Sequence, residues 1–520
     1  MNGVPNDHIT TDPSPVAPVL LELPLPVDWV SWDAIKVLRR LHHLGHVAYL
    51  VGGCVRDLML GRYPKDFDVA TSARPREVKR AFANSRLIGR RFRLAHVLFA
   101  RSTIEVATFR RTPGPDPDNR EGDRLEDLDA AGGDPEPPGE VAPAGAVGED
   151  MLEFSSGASA GEVDLLIQSD NVFGTPEEDA RRRDFTINGL FYDIVDAVVV
   201  DWVGGIRDLE ARVIRTIGDP EVRFREDPVR MLRAIRFASQ LRFEIEQETW
   251  EALERVSGDI RRAAPPRILE EMFRTMRAGG AREGFRLMAE AGLLDHFLGE
   301  LVPFIKGQGG AARACPSVLS VLGAVDQVTR FGVVLPNRLL LSALTLGPVL
   351  YWSEEEGLGG AEAVHRRAGE LFDALGARLR IPRREREGAR LALMGYYKAL
   401  QVLEAERGLG ALSRKSYYPD AVALLGLANL AGVFPAEWLS RLASCGVGGS
   451  DAEGVLGVVQ EVSGEVAPGS GRRWRGGRSG RRRRGRSRGR GQGEAVQGGG
   501  RRRGGEGGTL SAGQERKDST

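Results

Sequence analysis

Two acidic residues two positions apart, Asp66 and Asp68 in Lys65-Asp66-Phe67-Asp68, are the first feature of this 520-residue chain with the means to do chemistry. In a strand, positions i and i+2 share a face. Both carboxylates therefore project together while Phe67 turns into a core. Adjacent carboxylates repel, and a divalent cation removes that cost. Magnesium takes carboxylates together with phosphate oxygens and water. Two such ions about 3.5–4 Å apart can activate an attacking hydroxyl and hold a leaving pyrophosphate. An isolated Asp-x-Asp also fits an exposed strand end. Here it closely follows Gly52-Gly53-Cys54-Val55-Arg56-Asp57, which comes after a β-rich run and opens a helical segment. Glycines at such a turn let a phosphate approach backbone N–H groups, and Arg56 adds a forked charge. The plain alternative is a tight turn closed by an Arg56–Asp57 pair. Glu105, within the otherwise apolar run Ile104–Phe109, is the candidate third carboxylate, its side chain facing either solvent or the site.

The elements that must hold these groups alternate in type. Apolar residues recur at helical spacing between Trp29 and His43, and a strand is expected at Val47–Val51. Further strands are expected at Phe67–Ala70, His96–Phe99, Thr103–Ala107 and Phe191–Val200, with a helix at Arg74–Ala83. Such a mixture indicates an α/β or α+β domain. Residues 112–164 are acidic and rich in Pro and Gly, and read as a mobile insertion after which the fold resumes near Asp164. From about residue 220 the period is helical: Pro228–Leu241, Trp250–Val256, Arg267–Arg277, Glu283–Ala291, Arg338–Leu346, Ala361–Leu375 and Arg384–Leu403. The expected organisation is a disordered 1–27, an α/β domain over 28–218, a helical region over 219–300, a second helical region over 301–445 and a disordered Arg/Gly-rich 446–520.

Bulk charge is uninformative, since 72 basic residues balance 72 acidic ones. The balance hides an acidic stretch at 114–150 and an Arg-rich one at 471–505, whose arginines suit phosphate neutralisation and whose Trp474 suits base stacking. Cys54, Cys315 and Cys445 are odd in number, far apart and without a CxxC pair, which argues against a disulfide framework or zinc site. His96 has no second histidine at ligand spacing and reads as a packed strand residue. With no leader and no membrane-length apolar run expected, the chain reads as cytoplasmic. Nothing in the sequence sets an oligomeric state.

The run GGCVRDLMLGRYPKDFDVAT resembles the active-site signature of class II nucleotidyltransferases, the family of bacterial poly(A) polymerases and tRNA CCA-adding enzymes. Further motifs follow in that family's order. They are RRRDFTINGL at Arg181–Leu190, GGIRD at Gly204–Asp208, REDPVRMLRAIRFA at Arg225–Ala238 and RILEE at Arg267–Glu271. The resemblance implies an α+β protein, with a nucleotidyltransferase head on a mixed or antiparallel sheet followed by all-α neck, body and tail. It implies magnesium on Asp66 and Asp68, with Glu105 beside them, and ATP and RNA 3′ ends as partners. Gly52, Gly53, Arg56 and Asp57 would then meet the nucleotide. Arg183 and Asp184 would position its sugar and phosphates, and Asn188 its ribose. Arg233 and Arg236 would contact the triphosphate or acidic partners.

Asp227 and Arg230, three apart on one helix face, fit base reading. Asp227 also suits a helix cap before Pro228. Arg only donates hydrogen bonds and ionised Asp only accepts them. Adenine and cytosine each offer an acceptor beside a donor, whereas uracil and guanine place a ring N–H where Arg would clash. The pair admits A and C alike. Leu87–Val97 and Asp170–Asp179 are similar to the poly(A) polymerase branch, which points to polyadenylation with ATP. CCA addition to tRNA is the alternative, and a non-catalytic RNA-binding protein on the same scaffold a more distant one.

Overall fold

The alternation around Phe67 is realised at the entry to a central strand: Phe67 is buried while Asp66 and Asp68 on either side are exposed. The computed structural model describes residues 17–24, 27–88, 94–111, 172–308, 316–355, 360–434, 436–446 and 449–463. The expectations for the 112–164 insertion, for residues 89–93 and 170–171, and for the Arg/Gly-rich tail from 464 onward lie outside these residues.

Strands β1 (Val19–Glu22), β2 (Ala48–Val51), β3 (Asp68–Thr71), β4 (Ser85–Ile88), β5 (Leu94–Leu98), β6 (Thr103–Thr108), β7 (Leu190–Asp193) and β8 (Val198–Asp201) form one eight-stranded sheet in the order β1-β8-β7-β2-β3-β6-β5-β4. Every neighbouring pair is antiparallel except β3–β6, which is parallel. The helix Trp32–His43 buries Ala34, Ile35, Val37, Leu38 and Leu41 against β2, β3 and β6. The opposite face carries a small aromatic cluster in which Phe191 meets Trp202 and Tyr49 edge-on at 5.3 and 5.9 Å. Beyond β6, Arg110 and Phe173 form an antiparallel bridge. The Arg111 N–H donates to the Val172 carbonyl and the Gly174 N–H to the Phe109 carbonyl, both at 2.9 Å. The described residues on either side of 112–171 are thereby tied to each other.

Past residue 220 the structure is helical. A continuous core runs through Val229–Leu241, Pro265–Arg277, Ala281–Glu290, Val318–Arg330, Asn337–Glu355, Ala361–Leu379, Arg383–Ala405 and Tyr418–Leu430. Asn337–Glu355 and Tyr418–Leu430 are apolar nearly all round, as helices wrapped by others must be. Among the described residues no helix is long and apolar enough to cross a membrane.

Four expectations need correction. Val19–Glu22 lies in the stretch expected to be disordered, yet pairs with the sheet-edge strand β8 from Val19↔Asp201 to Glu22↔Val198. Its side chains are exposed, so backbone pairing and the Tyr192 hydroxyl donating to the Leu23 carbonyl at 3.0 Å hold it. The single strand expected at Phe191–Val200 is a hairpin. The Asp193 carboxylate accepts from the Val195 and Asp196 N–H groups, and Ala197 turns left-handed. Glu244–Ile245, in the helical half, pairs in parallel with Val213–Ile214. Finally, the glycine-rich stretch after residue 446 contains the helix Ser450–Ser463. Ala452, Val455, Val458 and Val459 recur on one buried face, and Val455 packs so tightly on Gly426 that a Cβ there would meet it at 2.6 Å.

Candidate active site

Strand register assembles the acidic wall. Val51 pairs with Asp68 across β2–β3, so the Gly52-Gly53 turn after β2 sits beside that carboxylate. Asp68 in turn pairs with Glu105 across the parallel β3–β6 ladder. Gly52 has φ +75°, and a Cβ on it would stand 3.0 Å from Arg183 Nη1. Only glycine meets both demands. Desolvation first, then repulsion from Glu105 and Asp66, push the Asp68 carboxyl up to about 6, with Arg183 opposing. A crowded acid of this kind accommodates a cation. Among the described residues no three His, Cys, Asp or Glu side chains close a metal cage by themselves. Asp66 and Asp68 on an open cleft fit magnesium, which completes its shell with phosphate oxygens and water. Glu105 does not line that cleft. It lies 3.4 Å from His96 Nε2, its register partner on β5, and acts on Asp68 through its charge.

The facing wall is basic. Seven arginines (56, 182, 183, 230, 233, 236 and 267) and four aspartates (66, 68, 184 and 227) line a cleft of about 600 Å³. That excess suits a polyphosphate. The arginines are held by a network. Asp184 accepts from Arg233 Nε at 2.8 Å and from Asn188 Nδ2 at 3.3 Å. Asn188 Oδ1 accepts from Arg56 Nη1 at 2.8 Å, and Arg56 also donates to Asp57 at 2.9 and 2.7 Å. Burial raises the Asp184 carboxyl, but Arg233, the Phe185 N–H and Arg230 outweigh it and bring it down to about 2. Arg183 donates to Asp179 at 2.9 Å and lies over the Phe191 ring. Arg236 donates to Glu271 at 2.7 Å. Asp57 lies outside the cleft lining, and Arg56 is both turn-closing partner of Asp57 and part of the lining.

Asp227 and Arg230 both line the cleft but do not pair with each other. Asp227 accepts from the Val229 N–H at 3.3 Å and from Arg267 at 2.8 Å. Arg230 donates to Glu226 at 2.8 Å and to the Arg223 carbonyl at 2.9 Å. The cleft thus shows a donor and an acceptor side by side, each anchored from behind. Sequence reading missed the anchors Glu226, Glu271 and Arg267, and also Phe237, over whose ring Arg56, Arg233 and Arg236 lie at 5.2, 5.4 and 4.2 Å. Phe237 stands four after Arg233, a helical spacing that could have exposed it.

A mixed sheet presenting paired aspartates to an arginine-lined cleft defines a nucleotidyltransferase. Residues 48–215 match the poly A polymerase head domain family, and residues 242–305 match the family described as the probable RNA and SrmB-binding site of polymerase A. The poly(A) polymerase I of Salmonella typhimurium is 38% identical over 359 residues, spanning 68% of this chain and 69% of that protein. A CCA-adding enzyme of Lactobacillus helveticus is 34% identical over 285 residues, 55% of this chain and 58% of that one. The Bacillus stearothermophilus CCA-adding enzyme, solved with CTP, shares the fold with a TM-score of 0.52 at 23% identity, covering 79% of this chain and 81% of that chain. The chain belongs to the class II nucleotidyltransferases, the family of bacterial poly(A) polymerases and CCA-adding enzymes.

Proposed function

We propose that this enzyme extends RNA 3′ ends with AMP drawn from ATP, without a template. The observation that carries the reading is the cleft itself, which sets Asp66 and Asp68 on one wall and Asp227 and Arg230 on the other. The RNA 3′ hydroxyl attacks the α-phosphorus of ATP. A new O–P bond forms, the bond to the bridging oxygen of the β-phosphate breaks, and pyrophosphate leaves. Asp66 and Asp68 would hold magnesium, which supplies Lewis acidity toward both oxygens. Arg183, Arg233 and Arg236 neutralise the triphosphate from fixed positions. Arg230 donates to adenine N1, and Asp227 accepts from its exocyclic amine. The identity to poly(A) polymerase I over most of the chain favours adenylation, whereas the Asp227–Arg230 pair fits cytosine equally well and keeps CCA addition as the second reading.

The test supplies one labelled nucleotide at a time, with a generic oligonucleotide and with tRNA lacking its 3′ end. Long A tracts on both RNAs, with only slow CTP incorporation, are expected. Addition of CCA to the tRNA followed by arrest would replace the polyadenylation reading with the second one.

A further inference from the structure

Behind Arg230, outside the cleft lining, lies the short helix Pro220–Glu226. Asp219 caps it by accepting the Glu221 and Val222 N–H groups at 2.9 and 3.1 Å, and it ends one residue before Asp227. Arg223 and Glu226 are three apart and share a helix face. Arg223 is buried.

The Arg223 guanidinium joins the two halves of the basic wall. Nη1 donates to Glu226 Oε2 at 2.6 Å. Nη2 donates to the Arg182 and Arg183 carbonyls at 2.5 and 2.6 Å. Those carbonyls belong to the segment that presents Arg182 and Arg183 to the cleft.

Glu226 Oε2 is shared by two guanidinium groups, because Arg230 Nη1 also donates to it, at 2.8 Å. The second acceptor of Arg230 Nη1 is the Arg223 carbonyl at 2.9 Å. Among the described residues both hydrogen bonds of Arg230 leave from Nη1, so Nε and Nη2 stay available to a ligand in the cleft. Two cations on one carboxylate strain each other. Burial first, then the charge of Arg230, bring the Arg223 guanidinium down to about 10, with Glu226 opposing. Geometry explains why a second cation is useful there. An arginine facing a carboxylate alone favours the forked pair, with two parallel N–H···O bonds. That pair would draw a second nitrogen of Arg230 out of the cleft. Arg223 tethers Oε2 and so fixes how the Glu226 carboxylate is turned.

We propose that Arg223 is a positioning residue for base selection. By holding Glu226 against the Arg182 and Arg183 carbonyls, it keeps Arg230 attached through one nitrogen and its other donors turned toward the base. The inference rests on the reading in which Arg230 donates to adenine N1, and adds the residue that sets this donor. The same bonds fix the base reader relative to the arginines that meet the triphosphate.

The test follows addition of the first AMP by the full chain, on an RNA 3′ end that the wild type extends. Three substrates are compared: ATP, 1-deaza-ATP, which carries C–H in place of N1, and purine riboside triphosphate, which lacks the exocyclic amine. The readout is the ratio of kcat/KM between substrates, because a loss of folded protein lowers every rate alike and leaves ratios unchanged. Wild type should lose about 10–100-fold on 1-deaza-ATP, the worth of a hydrogen bond from a charged donor. In Arg223→Met that penalty should shrink to about threefold or less, while the penalty for the missing amine, read by Asp227, keeps its wild-type value. Arg223→Lys retains the buried charge but cannot span Glu226 and both carbonyls, and its N1 penalty should fall between the two. An N1 penalty as large in Arg223→Met as in wild type would overturn the proposal and leave Arg223 a structural brace. Equal shrinkage of both penalties would overturn it too, since the whole base site would then have loosened. Absence of an N1 penalty in wild type would remove the base-reading role of Arg230, and the inference with it. If Arg223→Met does not unfold cooperatively, Arg223→Lys carries the comparison, and a wild-type N1 penalty in that variant overturns the proposal.

Discussion

The two walls of the cleft solve opposite electrostatic problems. On the sheet side, desolvation first and then the like charges of Glu105 and Asp66 push the Asp68 carboxyl up to about 6. On the helix side, Asp184 sits buried yet is brought down to about 2, because Arg233 and its neighbours surround it. The same residue type is left wanting a cation on one wall and is saturated on the other. Charge frustration therefore marks where a metal and a reacting phosphate belong, and charge satisfaction marks the frame that holds their partners still. Replacing an acid on the first wall should cost activity without stability, and on the second wall stability as well.

The largest effect is expected at Asp68. Asp68→Asn should lower AMP addition by at least ~10³-fold, while denaturant unfolding shows a stability equal to or slightly above wild type, since a repulsion has been removed. Wild-type turnover in this variant would dissolve the metal-site assignment. Asp184→Asn comes next, with an expected loss of about 3 kcal/mol, because Arg233 is left without its buried partner. The sign of its pH dependence follows from the depressed carboxyl. The stabilisation is full above the ordinary carboxylate pKa of about 4 and is lost as pH falls through the folded value. Unfolding free energies of wild type should therefore drop from about pH 4 to about pH 2, and those of the Asn variant should be flatter there. Parallel curves for the two proteins would contradict the pairing.

Arg230→Ala should narrow the preference for ATP over UTP by ~10–100-fold in kcat/KM, because it removes the donor that fits adenine N1 and opposes the uracil N3–H. An unchanged ratio would take base reading away from this residue. The smallest effect is expected at Phe237, where three guanidinium groups share one ring. Phe237→Leu keeps an apolar side chain but removes the π face. It should raise KM for ATP by about fivefold with kcat nearly constant, and Phe237→Tyr should recover the wild-type value. A drop in kcat at constant KM would argue against a positioning role.

The acidic wall was legible from the sequence because it rests on the shortest rule in a strand, the two-residue period. Asp66 and Asp68 had to share a face once Phe67 was buried, even though Asp66 falls just before the regular strand. The row of Arg230, Arg233 and Arg236 was equally readable from helical spacing. Their anchors were not, because Glu271 lies 35 positions from Arg236 and Asp184 49 from Arg233. Contacts of that separation follow from how helices pack and leave no local pattern. Glu105 shows the same limit. Its place in an apolar strand left two orientations open, and the ladder places it against His96 and beside Asp68 instead of in the cleft lining. The ends of the fold misled for a compositional reason. Proline around Val19–Glu22 and glycine around Ser450–Ser463 suggest loose chain, while a backbone pairing and a short apolar face are enough to recruit each segment.

The bridge between Arg110 and Phe173 makes the head modular. Chain leaves and re-enters at hydrogen-bonded neighbours, so the sheet meets the same two anchor points whatever the connection holds. For a connection closed in this way, doubling the number of residues adds only ~0.6 kcal/mol of closure entropy. Selection acting on the catalytic head is then nearly indifferent to the length of residues 112–171. A change in the number of residues between Arg111 and Val172 therefore leaves the hydrogen-bonded pair of anchor points at the sheet in place.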